Sequence, residues 1–127
     1  MLSGSQLVFM LSLGFAFFAN LALSKETQVI SYHKEIKPIF QANCNGCHQP
    51  AKQKGDYLMT EFVAMLEGGE TGQAAIVPGK PEESYLFSQI QRNTDGNAKM
   101  PKGKGIQALH AFEISKIERW IREGALD

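Results

Sequence analysis

The 127 residues carry 13 basic and 13 acidic side chains, and 43% of them are hydrophobic. That length sets one small domain, and the balanced charge argues against a nucleic-acid binder. Both cysteines, Cys44 and Cys47, belong to one short motif, so there is no separate disulfide framework.

Leu7 to Leu23 is apolar except for Ser12, Gly14 and Asn20, and Lys25 is the first charged side chain. Ala22-Leu23-Ser24 places small residues where a signal peptidase needs them, so residues 1–24 read as a secretory signal cleaved after Ser24. No Lys or Arg precedes the apolar run, and its length touches the lower limit of about 17 residues for a membrane span. An uncleaved N-terminal anchor is therefore the rival reading. The remaining domain, 25–127, is too short for a generous core of its own, since small domains bury only ~60–70% of their unfolded surface.

Lys25 to Ser31 shows no pattern and is expected to be a mobile leader. Ile36, Ile39 and Phe40 recur at helical spacing. Pro38 fits a first helical turn but not an interior. The helix thus kinks there or starts near Lys37, and it is expected to run to about Cys47. His33 stands in a polar setting and reads as a surface residue.

Cys44-Asn45-Gly46-Cys47-His48 has the spacing of a c-type haem attachment signature. On a helical turn, positions i, i+3 and i+4 share one face. Cys44 and Cys47 can then each form a thioether to a haem vinyl group while His48 reaches the iron. A zinc site would need a second cysteine or histidine pair. A thiol–disulfide site would expect a strand–helix–strand setting, for which the chain shows no pattern. Haem of this type is attached outside the cytoplasm, in agreement with the export signal and a periplasmic or otherwise exported location. As a large apolar ligand, haem would serve as the centre of the core, and the chain without it is expected to fold poorly.

Gln49 to Tyr57 is polar and reads as loop. Thr60 resembles an N-cap for a short helix with Phe62, Val63, Met65 and Leu66 on its apolar side, stopped by Gly68-Gly69. After a loop over Thr71–Pro78, Pro81 suits a first helical position, with Glu82 and Glu83 at the positive end of the dipole. Tyr85, Leu86, Phe87 and Ile90 then make a buried helix ending near Gln91. Asn93 to Gly105 is rich in glycine and lysine and reads as irregular. The last element, Phe112–Glu123, is an amphipathic helix with Ile114, Ile117, Trp120 and Ile121 on one stripe. No useful strand alternation and no repeat appears, so the fold class is all-α, with four to five short helices and long loops around one haem.

A histidine-held iron has a sixth position. Met100 stands between Lys99 and Pro101 in a polar loop, where a core-filling role explains it poorly; Met65 and Met59 suit the core better. A thioether is soft and neutral and raises the potential of haem iron. Met100 is the favoured distal ligand, and His110 is its competitor.

Several segments together resemble the planctomycete-type cytochrome c domain family. These are Ile36-Lys37-Pro38-Ile39-Phe40 before the Cys44–His48 motif, Gly68-Gly69, and Val77-Pro78-Gly79-Lys80-Pro81 with Ser84 and Leu86. Lys99-Met100-Pro101, Glu113-Ile114, Trp120-Ile121 and Gly124-Ala125 complete the set. The resemblance implies an all-α cytochrome c fold, one covalent haem c, His48 as proximal iron ligand and Met100 as distal ligand. Gln49, Lys102 and Tyr57-Leu58-Met59-Thr60 depart from the family's usual glycine, second proline and Leu-Arg-Leu-Asp-like segment. The last departure bears on how the haem propionates are satisfied.

The expected role is single-electron transfer between extracytoplasmic partners, without an acid/base or nucleophilic constellation for catalysis. The apolar shell is expected from Ile39, Phe40, Leu58, Phe62, Leu66, Leu86, Ile90 and Trp120. Lys52, Lys54, Lys99, Lys102 and Lys104 would steer the protein to acidic redox partners if they ring the haem edge. Alternatives are a haem sensor or gas-binding module with a labile or absent methionine bond, and a thiol oxidoreductase using Cys44 and Cys47.

Overall fold

The computed structural model describes residues 28–127, so the expected signal or anchor at 1–24 lies outside the described residues. Four short α-helices carry the fold: α1 (Lys37–Asn43), α2 (Phe62–Glu67), α3 (Tyr85–Ile90) and α4 (Ala111–Arg122). The fold is thus small and mostly helical. One correction concerns strands. β1 (His48–Gln49) and β2 (Lys52–Gln53) form a two-residue antiparallel ladder, with His48 opposite Gln53 and Gln49 opposite Lys52. Two residues are too few for alternation to show in a sequence.

The core is built on α4. Ile117, Trp120 and Ile121 of its apolar stripe are fully buried, and Ile114 packs at the margin. Trp120 stacks on Tyr32 at 5.6 Å between ring centroids and meets Phe40 and Phe62 edge-on at 6.3 and 6.4 Å. Its indole N–H donates to the Leu126 carbonyl at 2.8 Å, so the one polar atom of the ring is satisfied. Glu113 reaches back to the His110 backbone N–H at 2.8 Å and so helps to fix the start of α4.

The chain reaches α1 through a π-helical turn, Tyr32–Ile36, with Pro38 just inside the α-helix where its missing N–H removes no helical bond. The irregular turn and the start at Lys37 are therefore one feature. The helix stops at Asn43 rather than near Cys47. The Phe40 carbonyl accepts from both Cys44 N (2.8 Å) and Asn45 N (3.0 Å), which widens the last turn and releases the chain.

Residues 28–31 are not a loose leader. Ile30 is buried, its N–H donates to Glu123 Oε2 at 2.7 Å, and Arg119 Nη2 donates to the Gln28 carbonyl at 2.6 Å. These partners lie about 90 positions away, beyond the reach of local pattern reading. Glu61 rather than Thr60 precedes α2, with no side-chain cap. Met65 is buried whereas Val63 is 65% exposed, so the inward face of α2 is narrower than expected. Pro81 opens a separate 3-10 turn, Pro81–Glu83. Buried Ser84 interrupts the expected single helix by accepting from Val77 N (2.9 Å) and donating to the Lys80 carbonyl (2.8 Å).

Gly68 ends α2 at φ +105°, a conformation that side chains rarely adopt. A Cβ on Gly69 would lie 2.2 Å from the Gly55 carbonyl oxygen and 2.9 Å from Tyr57 Cβ. This pair of glycines lets two stretches of backbone touch where side chains would hold them apart. Gly69→Ala is expected to cost about 1–3 kcal/mol, read as a lower denaturation midpoint with an unchanged slope. A wild-type midpoint would contradict that close approach.

Candidate functional site

The turn after α1 presents the motif. Cys47 N (3.0 Å) and His48 N (3.1 Å) both donate to the Cys44 carbonyl, so Cys44, Cys47 and His48 share one turn although α1 has ended. The ladder then pins His48, whose carbonyl also accepts from Met59 N at 2.9 Å. His48 Nδ1 is buried and has no hydrogen-bond partner. A buried imidazole nitrogen without a partner is unusual enough to call for a functional explanation.

Cys44, Cys47, His48 and Met100 line one cavity of about 340 Å³. Phe40, Met59, Leu86, Ile90 and Ile106 supply apolar wall. The four residues singled out from sequence are thus brought together. Met100 is held by its own N–H, which donates to the Gln89 carbonyl at 2.9 Å just before the end of α3. The competing histidines lie elsewhere. His110 is exposed at the start of α4, stacked on Phe112 at 5.6 Å. His33 is exposed and paired with Asp127 at 3.0 Å. Neither lines the cavity.

The apolar shell differs in part from expectation. Phe40, Leu86 and Ile90 line the cavity, whereas Ile39, Phe62, Leu66 and Trp120 pack in the cluster behind it and Leu58 is half-buried. Tyr57, Met59, Ala75, Tyr85 and Ile106 replace them at the cavity. Tyr57 follows the polar residues Lys54, Gly55 and Asp56, which give that stretch the character of a loop. Its ring lies 5.4 Å from that of His48, and its hydroxyl donates to the Met65 carbonyl at 2.8 Å. Burial, with smaller effects from Cys44 and Tyr32, pushes its phenol well above the usual range. The available signal was the run Tyr57-Leu58-Met59, an apolar patch inside a polar segment.

Both cysteines are free thiols. Burial, with a smaller effect from Glu113, pushes the Cys44 thiol up to about 12. A thiol protonated at neutral pH is the reverse of the low-pKa nucleophile that a thiol oxidoreductase needs. Among the described residues no three or more His, Cys, Asp or Glu side chains are grouped to hold a metal ion, so a zinc site finds no second half. Two unpaired thiols three positions apart, an adjacent imidazole with an orphaned nitrogen, a thioether and apolar walls do fit a covalently held haem. Among the described residues no helix is long and apolar enough to cross a membrane.

Residues 44–103 match the model of a family described as Planctomycete cytochrome C. Comparison with curated proteins and with solved structures finds no match. The match spans 60 of the 127 residues, so this segment is similar to the Planctomycete cytochrome C family, a likeness that points to a haem-binding, electron-transfer role. The matched segment contains the Cys44–His48 motif and Met100. Replacing Cys44 and Cys47 together by serine is expected to abolish covalent haem in protein made with haem-maturation machinery. Intact mass and a pyridine haemochrome assay read this directly, and haem retained covalently in the double variant would contradict it.

Proposed function

We propose, from this likeness, that the protein is an exported monohaem c-type cytochrome that passes single electrons between extracytoplasmic redox partners and performs no catalysis of its own. One observation carries the reading: Cys44, Cys47, His48 and Met100 line the same largely apolar cavity. In this reading Cys44 and Cys47 are the thioether anchors, His48 is the proximal iron ligand and Met100 the distal one. A haem bound there supplies a one-electron couple whose potential is set by ligands, burial and hydrogen bonds. The rest of the work belongs to the chain. Phe40, Leu86 and Ile90 exclude water, Tyr57 restricts the His48 ring, and the thioether of Met100 favours the reduced state without adding charge.

Lys54 and Lys102 line the cavity, and Lys52, Lys99 and Lys104 are exposed nearby in sequence. None of the five has an ion-pair partner among the described residues. Glu70 also lines the cavity, so the rim is lysine-rich rather than uniformly basic. Unpaired lysines at the mouth would steer acidic redox partners toward the haem edge.

The test of the ligand set is optical. Oxidised wild-type protein is expected to show the long-wavelength methionine-to-iron charge-transfer band, and its reduced form to bind CO poorly. Met100→Ala should lose the band, bind CO and drop in potential by about 0.1 V or more, within the roughly 0.8 V span that axial ligands control. Ready CO binding by the reduced wild-type protein would support the sensor reading instead. For the rim, Lys102→Glu with Lys104→Glu is expected to slow reduction by an acidic flavodoxin on the order of tenfold at low salt, with the difference shrinking as salt rises. Equal rates at low salt would remove the steering role.

A further inference from the structure

The loop that carries Met100 leaves α3 and returns to α4, and Arg92 sits where it leaves. Arg92 Nε donates to the Leu109 carbonyl at 3.1 Å, and Nη2 donates to the same carbonyl and to that of Ala108 (3.3 Å). From the same guanidinium, Nη1 donates to the Gly96 carbonyl at 3.2 Å. The two ends it joins are 17 positions apart in sequence. Gly96 is itself held in a tight first turn: Asn93 Oδ1 accepts from Asp95 N (3.1 Å) and Asn97 N (2.9 Å), and Asn93 N donates to the Asn97 carbonyl (2.7 Å). Leu109, at the returning end, is buried in the core. One planar cation thus bridges three carbonyls and ties the outgoing lobe of the loop to its buried return.

We propose that Arg92 is a positioning residue for the distal side: by closing the neck of the loop it sets how firmly Met100 holds its place against competing ligands. The inference rests on Met100 being the distal ligand. Met100 has one backbone tether in the loop, the bond to the Gln89 carbonyl. With the neck closed, the loop has few conformations in which Met100 is withdrawn; with it open, ordering the loop costs more entropy. The chemistry asks for arginine, whose rigid fork presents several donors in one plane, whereas lysine offers a point charge that cannot reach all three carbonyls together.

The experiment titrates imidazole into the oxidised, haem-loaded protein and follows the methionine-to-iron band. Arg92→Gln is expected to raise imidazole affinity at least about tenfold, the scale of losing hydrogen bonds from a charged donor. It should also weaken the band while covalent haem and far-ultraviolet circular dichroism stay as in wild type. Arg92→Lys should fall between the two. Wild-type affinity and an undiminished band in Arg92→Gln would overturn the proposal. If Arg92→Gln does not accumulate, Arg92→Lys decides: affinity raised about threefold or more supports the role, and wild-type affinity overturns it. Ser84→Ala controls for general loss of stability, because it removes buried bonds outside the loop; an equal gain in imidazole affinity there would also overturn it. A wild-type protein that lacks the band and binds imidazole as tightly as Met100→Ala would bring down the ligand assignment itself, and this proposal with it.

Discussion

Phe40 is the residue through which the core and the site depend on each other. Its ring meets Trp120 edge-on, its carbonyl ends α1 by accepting from Cys44 and Asn45, and its side chain also lines the cavity. The turn that carries Cys44, Cys47 and His48 therefore cannot move without disturbing a buried aromatic cluster. Tyr32, Phe62 and Trp120 extend that cluster away from the cavity and pack the π-helical turn and α2 against α4. Rings of this size bury large apolar areas at little conformational cost, which suits a domain with so few residues.

The two halves of the site are held by different physics. Cys44, Cys47 and His48 are ordered by local bonds within one turn and then by the short ladder, so their mutual placement is a property of a dozen consecutive residues. Met100 lies in a loop without regular structure, and its position depends on contacts far apart in sequence: the Gln89 carbonyl on one side and the guanidinium bridge of Arg92 at the neck. A local turn resists change at one residue better than a long loop does, because closing a loop carries an entropy that each tether must offset. If one bond in the site is to be tuned or lost during evolution, it is the one on the loop side.

This difference explains what could be read from the sequence. The motif was legible because its chemistry and its spacing are the same fact. The α4 stripe was legible because twelve residues give a periodicity time to repeat. Met100 stood out by context, as an apolar side chain among lysines, prolines and glycines. The ladder at His48, the break at Ser84 and the docking of Ile30 were not legible. They arise from one hydroxyl, two pairs of residues and a carboxylate about 90 positions away, none of which makes a repeating pattern. The shell was half legible for a related reason. Period tells which side of a helix is apolar, but not whether that side faces the cavity, as with Leu86 and Ile90, or the packing behind it, as with Trp120.

The character of the cavity wall bears on what the site can do. Its phenol at Tyr57 is tied to the Met65 carbonyl and held neutral by burial, which leaves it a poor proton donor near neutral pH. Catalysis at a haem needs a group that moves protons close to the iron and room for a substrate beside it. Apart from His48 and the thiols, the other ionisable side chains that line the cavity, Lys54, Glu70, Tyr85 and Lys102, stand at half-buried or exposed positions where solvent reaches them. Such groups suit recognition of a partner better than proton transfer inside the cavity. The interior offers apolar surface and soft or aromatic neighbours, and charge is confined to the rim. That division is what an electron carrier requires: a dry, fixed environment for the redox centre and a charged face for brief encounters.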